Sequence, residues 1–482
     1  RKDGLTLAGE SKSNTIIDGS GYRVVEIYAN NVAISEFTVR NGGWQPLWEY
    51  GSAVLLSGQL CIVCDNTISN SSYGITSYGG RNNIISGNTI FNTNHGVSLG
   101  YSRDETIIGN TISDSEIGIH LHESYDNTII GNTIANNTWV DPYWGGGIHL
   151  YSSDTNTVTG NTILNTTEVG IWQYYSHSNT IVDNVIWRNT EIDMDDSHGI
   201  YLGDYSYDNT ILGNVISKSH RGIYVSQLSY NNTMIGNNIS NLTIYGCGIN
   251  VWGPDNKIIR NTIRNMDYVG IQLNSISSDS EYGVPHACTN NVVSGNTISN
   301  STFGINLILA ASSNTVAENN VSGNGLGILM SDLSNNNTIK GNLVSNNYYG
   351  ILLFSSNNTK VYHNNFIENT QQVLLSNSFN TAWDDDYPSG GNYWSDYAGV
   401  DMYSGPCQNV PDSDGIGDTP YVIDLENQDR YPLMNPWSPP AVVLRISEVL
   451  FDPTDTTHFH LTVQNSQESL THVDITRIIV TL

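Results

Sequence analysis

Positive charge is what this sequence has least of. Eighteen Lys and Arg stand against 46 Asp and Glu over 482 residues, a formal net charge of −28. Such a surface repels a phosphate backbone and excludes nucleic acid as a partner, while divalent cations and neutral or cationic glycans remain open. Charge of either sign is sparse, at 13% of residues against a usual ~25%. No apolar run reaches the roughly 18 residues of a membrane span, so no span is expected in this segment. No stretch repeats its apolar residues at i, i+3, i+4 and i+7, which excludes helical repeats. The chain starts at Arg1 without Met or an apolar leader and reads as a mature or excised fragment. Asn, Ser, Thr, Gly and Tyr supply the polarity instead, with Ile, Val and Leu at fixed spacing, a pattern unlike that of disordered chains.

That spacing is a repeat. Thr-Ile-Ile-Gly-Asn-Thr-Ile recurs 22 residues apart, with Asn110 and Asn132 in the same slot. The slot falls at Asn88, Asn110, Asn132, Asn161, Asn184, Asn214, Asn237, Asn261, Asn296, Asn319 and Asn342, with Asn364 as a last variant. Steps of 22–24 are interrupted by steps of 29, 30 and 35. Strand signals of a few residues alternate with turn chemistry, each too short to stand alone, so the units bury their apolar sides only by stacking. The expectation is an all-β fold: a right-handed parallel β-helix solenoid of about 15 coils over residues 1–377, near 70 Å long at ~4.8 Å per coil. Ile108 and Ile130 are expected to point into a shared interior. The slot Asn is expected at a turn that tolerates the left-handed region, with its amides bonding along the axis, and the preceding Gly at a tight corner.

Three insertions, 42–50, 137–147 and 189–199, fall between the Asn-Thr-Ile and Gly-Ile strands, which places them on one face, often the binding face of such repeats. A fourth, 275–289, belongs to another corner. Residues 378–437 break the pattern and form a loop-rich, aromatic C-terminal cap. Residues 438–482 form a short C-terminal β-strand module, sandwich-like but partial. Its strand runs at 442–450, 458–463 and 473–482 are too few for an independent sandwich, so it either continues or completes its sheet in assembly.

Asp412, Asp414 and Asp418, spaced D-x-D-G-x-G-D, match the oxygen-rich turns that hold calcium, with Asp396 and Asp401 as further ligands. An Asp-Gly turn without metal is the alternative. The residue after Gly-Ile forms a second candidate. Period-2 alternation turns it outward, so His120, His149, Trp172, Tyr201 and Tyr224 should stack into a stripe. The neighbouring insertions bring Trp144, Asp195 and His198 beside it. Aromatic platforms with flanking carboxylates suit sugar rings; ordinary ring-on-ring packing along the sheet is the competing reading. Catalysis is disfavoured. Basic groups are few near the stripe, and Asp193, Asp195 and Asp196 sit on one loop where a hydrolase needs carboxylates on both sides of a bond.

Asn-x-Ser/Thr sequons at Asn70, Asn136, Asn165, Asn231, Asn241, Asn300 and Asn357 suit an exported glycoprotein, although an Asn- and Thr-rich repeat also generates them by chance. Five cysteines cannot all pair. Cys247 and Cys288 are the candidates for a disulfide between neighbouring coils, while the Cys61-x-x-Cys64 pair lacks the context of a zinc or thioredoxin site.

The repeat, together with a tail reading Trp383-Asp-Asp-Asp-Tyr-Pro-Ser-Gly-Gly-Asn-Tyr-Trp-Ser-Asp-Tyr, Asp414-Gly-Ile-Gly-Asp-Thr-Pro-Tyr and Asp429-Arg-Tyr-Pro-Leu-Met, resembles the NosD-like right-handed parallel β-helix proteins over about residues 10–435. The resemblance implies an exported, extracellular or cell-surface protein. A copper-enzyme maturation role belongs to a minority of that family, and no Met- or Cys-rich copper motif is present here. The leading expectation is a structural or assembly component of the surface, in a sheath, surface layer, filament or adhesin, partnered by itself or by other surface proteins. The alternative is a polysaccharide-binding or polysaccharide-degrading β-helix, with periplasmic copper-enzyme maturation a more distant third.

Overall fold

A strand of three residues turns only its middle side chain to one face, and this sets the architecture. In Thr106–Ile108 the middle residue Ile107 is fully buried, whereas Ile108 is 39% exposed. Thr128–Ile130 buries Ile129 in the same way. The expectation that Ile108 and Ile130 point inward is therefore corrected by one position. Each strand begins at its Thr, and a shift of one residue exchanges the two faces.

The computed structural model describes residues 2–43, 51–138, 145–188, 197–243, 245–275, 288–439, 444–451 and 459–465. The chain forms two units, Arg1–Trp437 and Ser438–Leu482. In the first, three strands per coil build three faces, and no helix occurs among the described residues. The first face is a sheet of 15 parallel strands from Thr6–Ala8 to Lys360–Tyr362. The second runs from Ile16–Asp18 to Tyr393–Trp394, and the third from Val25–Ile27 to Gln371–Ser376. The fold is thus the all-β parallel solenoid of about fifteen turns that the repeat predicts.

Like residues lie over like. Ile85, Ile107, Ile129, Val158 and Ile181 pair in succession on the first face, and Ile90, Ile112, Ile134, Ile163 and Ile186 on the second. All ten are fully buried. Burying one such side chain is worth about 1.5–3 kcal/mol, a gain a coil realises only when both neighbours cover it.

The slot asparagines form an internal ladder. Asn110 donates from its backbone N and its Nδ2 to Asn132 Oδ1 at 2.9 and 3.0 Å, and from Nδ2 to the Ile85 carbonyl at 2.9 Å. The ladder continues to Asn392. These asparagines are buried and do not adopt the left-handed region. That conformation falls on the residue before, at Gly87, Gly109 and Gly131 with φ of 61–62°. A second, parallel ladder through Asn127, Asn156, Asn179, Asn209 and Asn232 lines another corner.

The first three insertions leave from one corner, between second-face and third-face strands such as Thr133–Ala135 and Gly146–Tyr151. Residues 44–50, 139–144 and 189–196, and residues 276–287 of the fourth insertion, lie outside the described residues. Two coils dispense with this corner: Thr67–Tyr78 and Thr89–Gly100 each cross both faces as one continuous strand of 12 residues.

At the C-terminal end Trp394 lies on Phe366 with ring centroids 4.5 Å apart and beneath Tyr421 at 4.3 Å, closing the interior. In the second unit, Leu444–Phe451 and Phe459–Asn465 pair as an antiparallel hairpin with a register shift between Ile446 and Glu448. The strand expected at 473–482 lies outside the described residues.

The disulfide expected between Cys247 and Cys288 is not formed: both thiols are buried and free. They occupy opposite ends of third-face coils. Cys247 opens the strand Cys247–Val251 and lies 3.5 Å from the Ile249 carbonyl, whereas Cys288 Sγ lies 3.5 Å from the Val251 carbonyl and 3.2 Å from Asn291 Nδ2. Burial pushes the Cys247 thiol up to about 12 and raises that of Cys288 further.

Candidate functional site

The third face is where repeat chemistry becomes surface chemistry. Each of its strands passes close over the coil beside it at the Gly of Gly-Ile. A Cβ on Gly96 would meet Ile112 Cγ2 at 2.4 Å and the Gly118 carbonyl at 2.6 Å, so only glycine fits. The following Ile points inward, and the next residue outward.

That next position forms the stripe the sequence predicts. Ser98, His120, His149, Trp172, Tyr201 and Tyr224 are partners in succession on adjacent coils. Ring centroids lie 6.5 Å apart for His120–His149, 5.1 Å for His149–Trp172 and 5.1 Å for Tyr201–Tyr224. His198 stacks on Tyr201 at 5.0 Å. Exposure corrects the expectation, however. His149 is 2% exposed, Trp172 4% and His198 6%, so the middle of the stripe is packed interior and offers no contact surface. Trp144 and Asp195 lie outside the described residues.

The accessible rings sit two residues further along each strand, or at the corner beyond. Tyr78, Tyr101, His122, Tyr151, Tyr174, Tyr175 and Tyr205 form a continuous track. Successive centroid separations are 5.3, 5.7, 5.4, 5.9, 4.5 and 5.3 Å. Tyr101 is 50% exposed and Tyr205 46%. Sequence reasoning missed this track, although the signal was present: period-2 alternation puts Tyr78, His122, Tyr151 and Tyr174 on the same side as the stripe.

Where the two uninterrupted strands pass, the stripe position holds Thr76 and Ser98, and the next outward position holds Gly100. Small residues where neighbouring coils carry rings leave a groove of about 340 Å³. Tyr73 and His95, 4.8 Å apart, line one side of it, and Tyr78 and Tyr101 the other. His120 stands 5.0 Å from His95, edge to face. Desolvation first, and the neighbouring His149 second, press His95 down to about 3; desolvation and His120 do the same to His149, and His120 itself lies well below the usual histidine value. These three rings are neutral at physiological pH. Among the described residues no Asp, Glu, Lys or Arg lines the groove.

In the cap, the carboxylates proposed for calcium accept hydrogen bonds within the turn. Asp401 accepts from Ser413 Oγ at 2.8 Å, Gly415 N at 2.8 Å and Asp414 N at 3.1 Å. Asp418 accepts from Met402 N and Tyr403 N, Asp412 from Ser413 N, Asp414 from Ile416 N, and Asp396 from the Tyr421 hydroxyl. No group of three or more His, Cys, Asp or Glu among the described residues is gathered tightly enough to hold a metal ion. Six of the sequon asparagines, Asn70, Asn136, Asn165, Asn231, Asn241 and Asn300, stand at corners with φ of 52–57°. Several pair along the axis, as Asn165 Nδ2 does with Asn136 Oδ1 at 3.2 Å. Asn357 is half-buried.

Residues 17–186 match the family described as a right-handed β-helix region, and residues 143–286 and 271–399 match the family described as periplasmic copper-binding protein NosD. The chain belongs to the NosD family. No curated protein matches this NosD chain. Among solved structures it is similar to the A-module of the Azotobacter vinelandii mannuronan C-5 epimerase AlgE4, at 15% identity and a TM-score of 0.42, over 67% of this chain and 86% of that one. The tailspike protein of E. coli bacteriophage HK620, determined with a pentasaccharide, matches at 10% identity and 0.46, over 72% of each chain. The periplasmic alginate epimerase AlgG matches at 13% and 0.42, over 78% and 83%. These likenesses concern the fold.

The family description names copper, and the three imidazoles on the third face are the place to test it. They do not fit. Their rings meet edge to face with centroids 5.0 and 6.5 Å apart, a packing contact in which the nitrogens do not converge on one point, and no three-ligand cluster exists among the described residues.

Proposed function

We propose that this chain is an exported cell-surface protein whose rigid β-helix body binds polysaccharide along its third face. The observation that carries the reading is the ring track from Tyr78 to Tyr205, in which seven aromatic or imidazole rings follow one another across adjacent coils at 4.5–5.9 Å. His122, Tyr151 and Tyr174 stack face to face along the axis, so their ring edges and phenol and imidazole groups are what the track offers to sugar hydroxyls and C–H groups. Inward Ile and Asn ladders fix the track, so binding orders few protein side chains. Affinity electrophoresis against a panel of polysaccharides tests this reading. At least one should retard the protein, and Tyr151→Ala combined with Tyr174→Ala should abolish the retardation. A panel that leaves mobility untouched would remove the reading.

Structural assembly, N-glycosylation at the corner asparagines and calcium at the Asp412–Asp414–Asp418 turn are further proposals. The mass of the native protein reads the second, and sedimentation of the full chain reads the first. Calcium would have to draw the carboxylates of the turn together, since each now serves a neighbouring N–H or hydroxyl donor.

A further inference from the structure

The groove beside Thr76 and Ser98 is where the track deepens: Tyr78, Tyr101 and His122 belong to both, and Tyr73 and His95 line the groove alone. Its volume of about 340 Å³ lies at the small end of ligand pockets. Resting on the polysaccharide reading above, we propose that this groove is a subsite for one uncharged sugar unit and that it rejects uronic acids. Tyr73 and His95, 4.8 Å apart, and Tyr78 and Tyr101, 5.3 Å apart, line it together with the small residues Thr76, Ser98 and Gly100, a lining suited to one sugar ring. His95 and His120 line the groove beside these rings and bring imidazole to its wall.

Charge sets the selectivity. Among the described residues no Lys or Arg lines the groove to pair with a carboxylate. The neutral imidazoles offer hydrogen bonds without positive charge. Negative charge borders both walls: Glu116 acts on the Tyr73 phenol behind the dominant effect of desolvation, and Glu123 is the main influence on Tyr101. A uronate entering here loses water and gains no cation, so its carboxylate is left unpaired. The overall charge of −28 opposes polyanions at longer range.

Titration calorimetry on the full chain tests the proposal with short neutral oligomers of glucose, mannose and galactose, set against oligomers of mannuronate, galacturonate and glucosamine. Ser98→Trp fills the groove and leaves its walls in place. Tyr101→Asn removes one wall and keeps a residue suited to that corner, where φ is 52°. A neutral oligomer should bind, and each variant should weaken it about tenfold or more. Uronate or glucosamine oligomers binding in preference, with loss in both variants, would overturn the charge assignment and leave the polysaccharide reading standing. Neutral binding that survives both variants but falls with Tyr174→Ala would overturn the subsite and keep the track. Absence of binding by every oligomer would overturn both.

Discussion

Asp429 terminates the asparagine ladder at Asn392. Its Oδ2 accepts the Asn392 N–H at 2.7 Å, in the position an asparagine of the next coil would occupy, and also the Trp394 Nε1–H at 2.9 Å. Oδ1 accepts the Tyr431 N–H at 3.1 Å. Asn392 in turn accepts from Asn364 and donates to the Val361 and Trp383 carbonyls. One carboxyl therefore closes the hydrogen bonding of a ladder that spans most of the rod and fixes the indole that seals it.

The cap should accordingly fail when this carboxyl changes. Asp429→Asn keeps one acceptor oxygen where two are used, leaving a buried N–H unpaired at a cost of about 1–3 kcal/mol. Asp429→Ala leaves all three donors unpaired and should cost more. Calorimetry of the unfolding endotherm reads both, and an unchanged transition in the alanine variant would show that the ladder does not need a terminus.

Glu105 gives a pH signature inside the rod. It stands where the second ladder would carry Asn, and its Oε1 accepts from Asn83 Nδ2 at 2.7 Å and Ser77 Oγ at 2.8 Å. Desolvation outweighs these donors and raises its pKa to about 7. A raised carboxyl contributes stability that is full below its unfolded value near 4.5 and is lost as pH climbs through 7. His95 and His149, held near 3, act oppositely: their contribution is present above about 6.5 and lost as pH falls toward 3. Comparing the wild type with Glu105→Gln cancels the histidines. The variant should gain roughly 2–3 kcal/mol relative to wild type between pH 5 and pH 8.5, seen as a rising difference in melting temperature. A difference that stays flat with pH would mean the buried carboxyl does not titrate in that window.

The winding was legible because it is written as a period. The slot asparagines announce their ladder, and the Thr-Ile pairs announce inward and outward sides, with only the starting residue of each strand misplaced at Ile108. The ring track and groove were harder to see. They depend on what is small, Thr76, Ser98 and Gly100, at positions where the eye follows His120 and Trp172. Burial of His149 and Trp172 was invisible for a related reason: alternation tells which way a side chain leaves the backbone, and nothing of what covers it. Asp429 stands in the sequence only as part of the tail motif Asp429-Arg-Tyr-Pro-Leu-Met, since its partners Asn392 and Trp394 lie 37 and 35 residues away.

Calcium at the cap turn is expected to act by mass action. Binding to the folded state alone adds about 2.7 kcal/mol at a hundredfold excess over Kd. The melting temperature of the full chain should fall on dialysis against EDTA and recover with calcium but not with magnesium, which demands a stricter octahedral geometry. Asp414→Asn should reduce the recovery. Identical melting curves before and after EDTA would remove calcium from the account of this cap.

Two glycines separate conformational strain from collision. Gly109 has φ of 61°, and nothing lies within 4 Å of an added Cβ. Gly109→Ala should therefore cost only about 1 kcal/mol, the penalty of one left-handed alanine, and Gly109→Asn less, because asparagine adopts that region more readily. Gly96 is the opposite case. Its new Cβ would strike Ile112 Cγ2 at 2.4 Å and the Gly118 carbonyl at 2.6 Å, so backbone as well as side chain must move. Overpacking of this kind typically costs 1–3 kcal/mol, here at the upper end of that range because coils on both sides hold the strand in register. The displacement would also spread the coils beneath His95 and Ser98. Gly96→Ala should thus lower both melting temperature and oligosaccharide affinity, whereas Gly109→Ala should lower the first slightly and leave the second intact. Equal effects of the two on binding would break the link drawn between the glycine column and the shape of the groove.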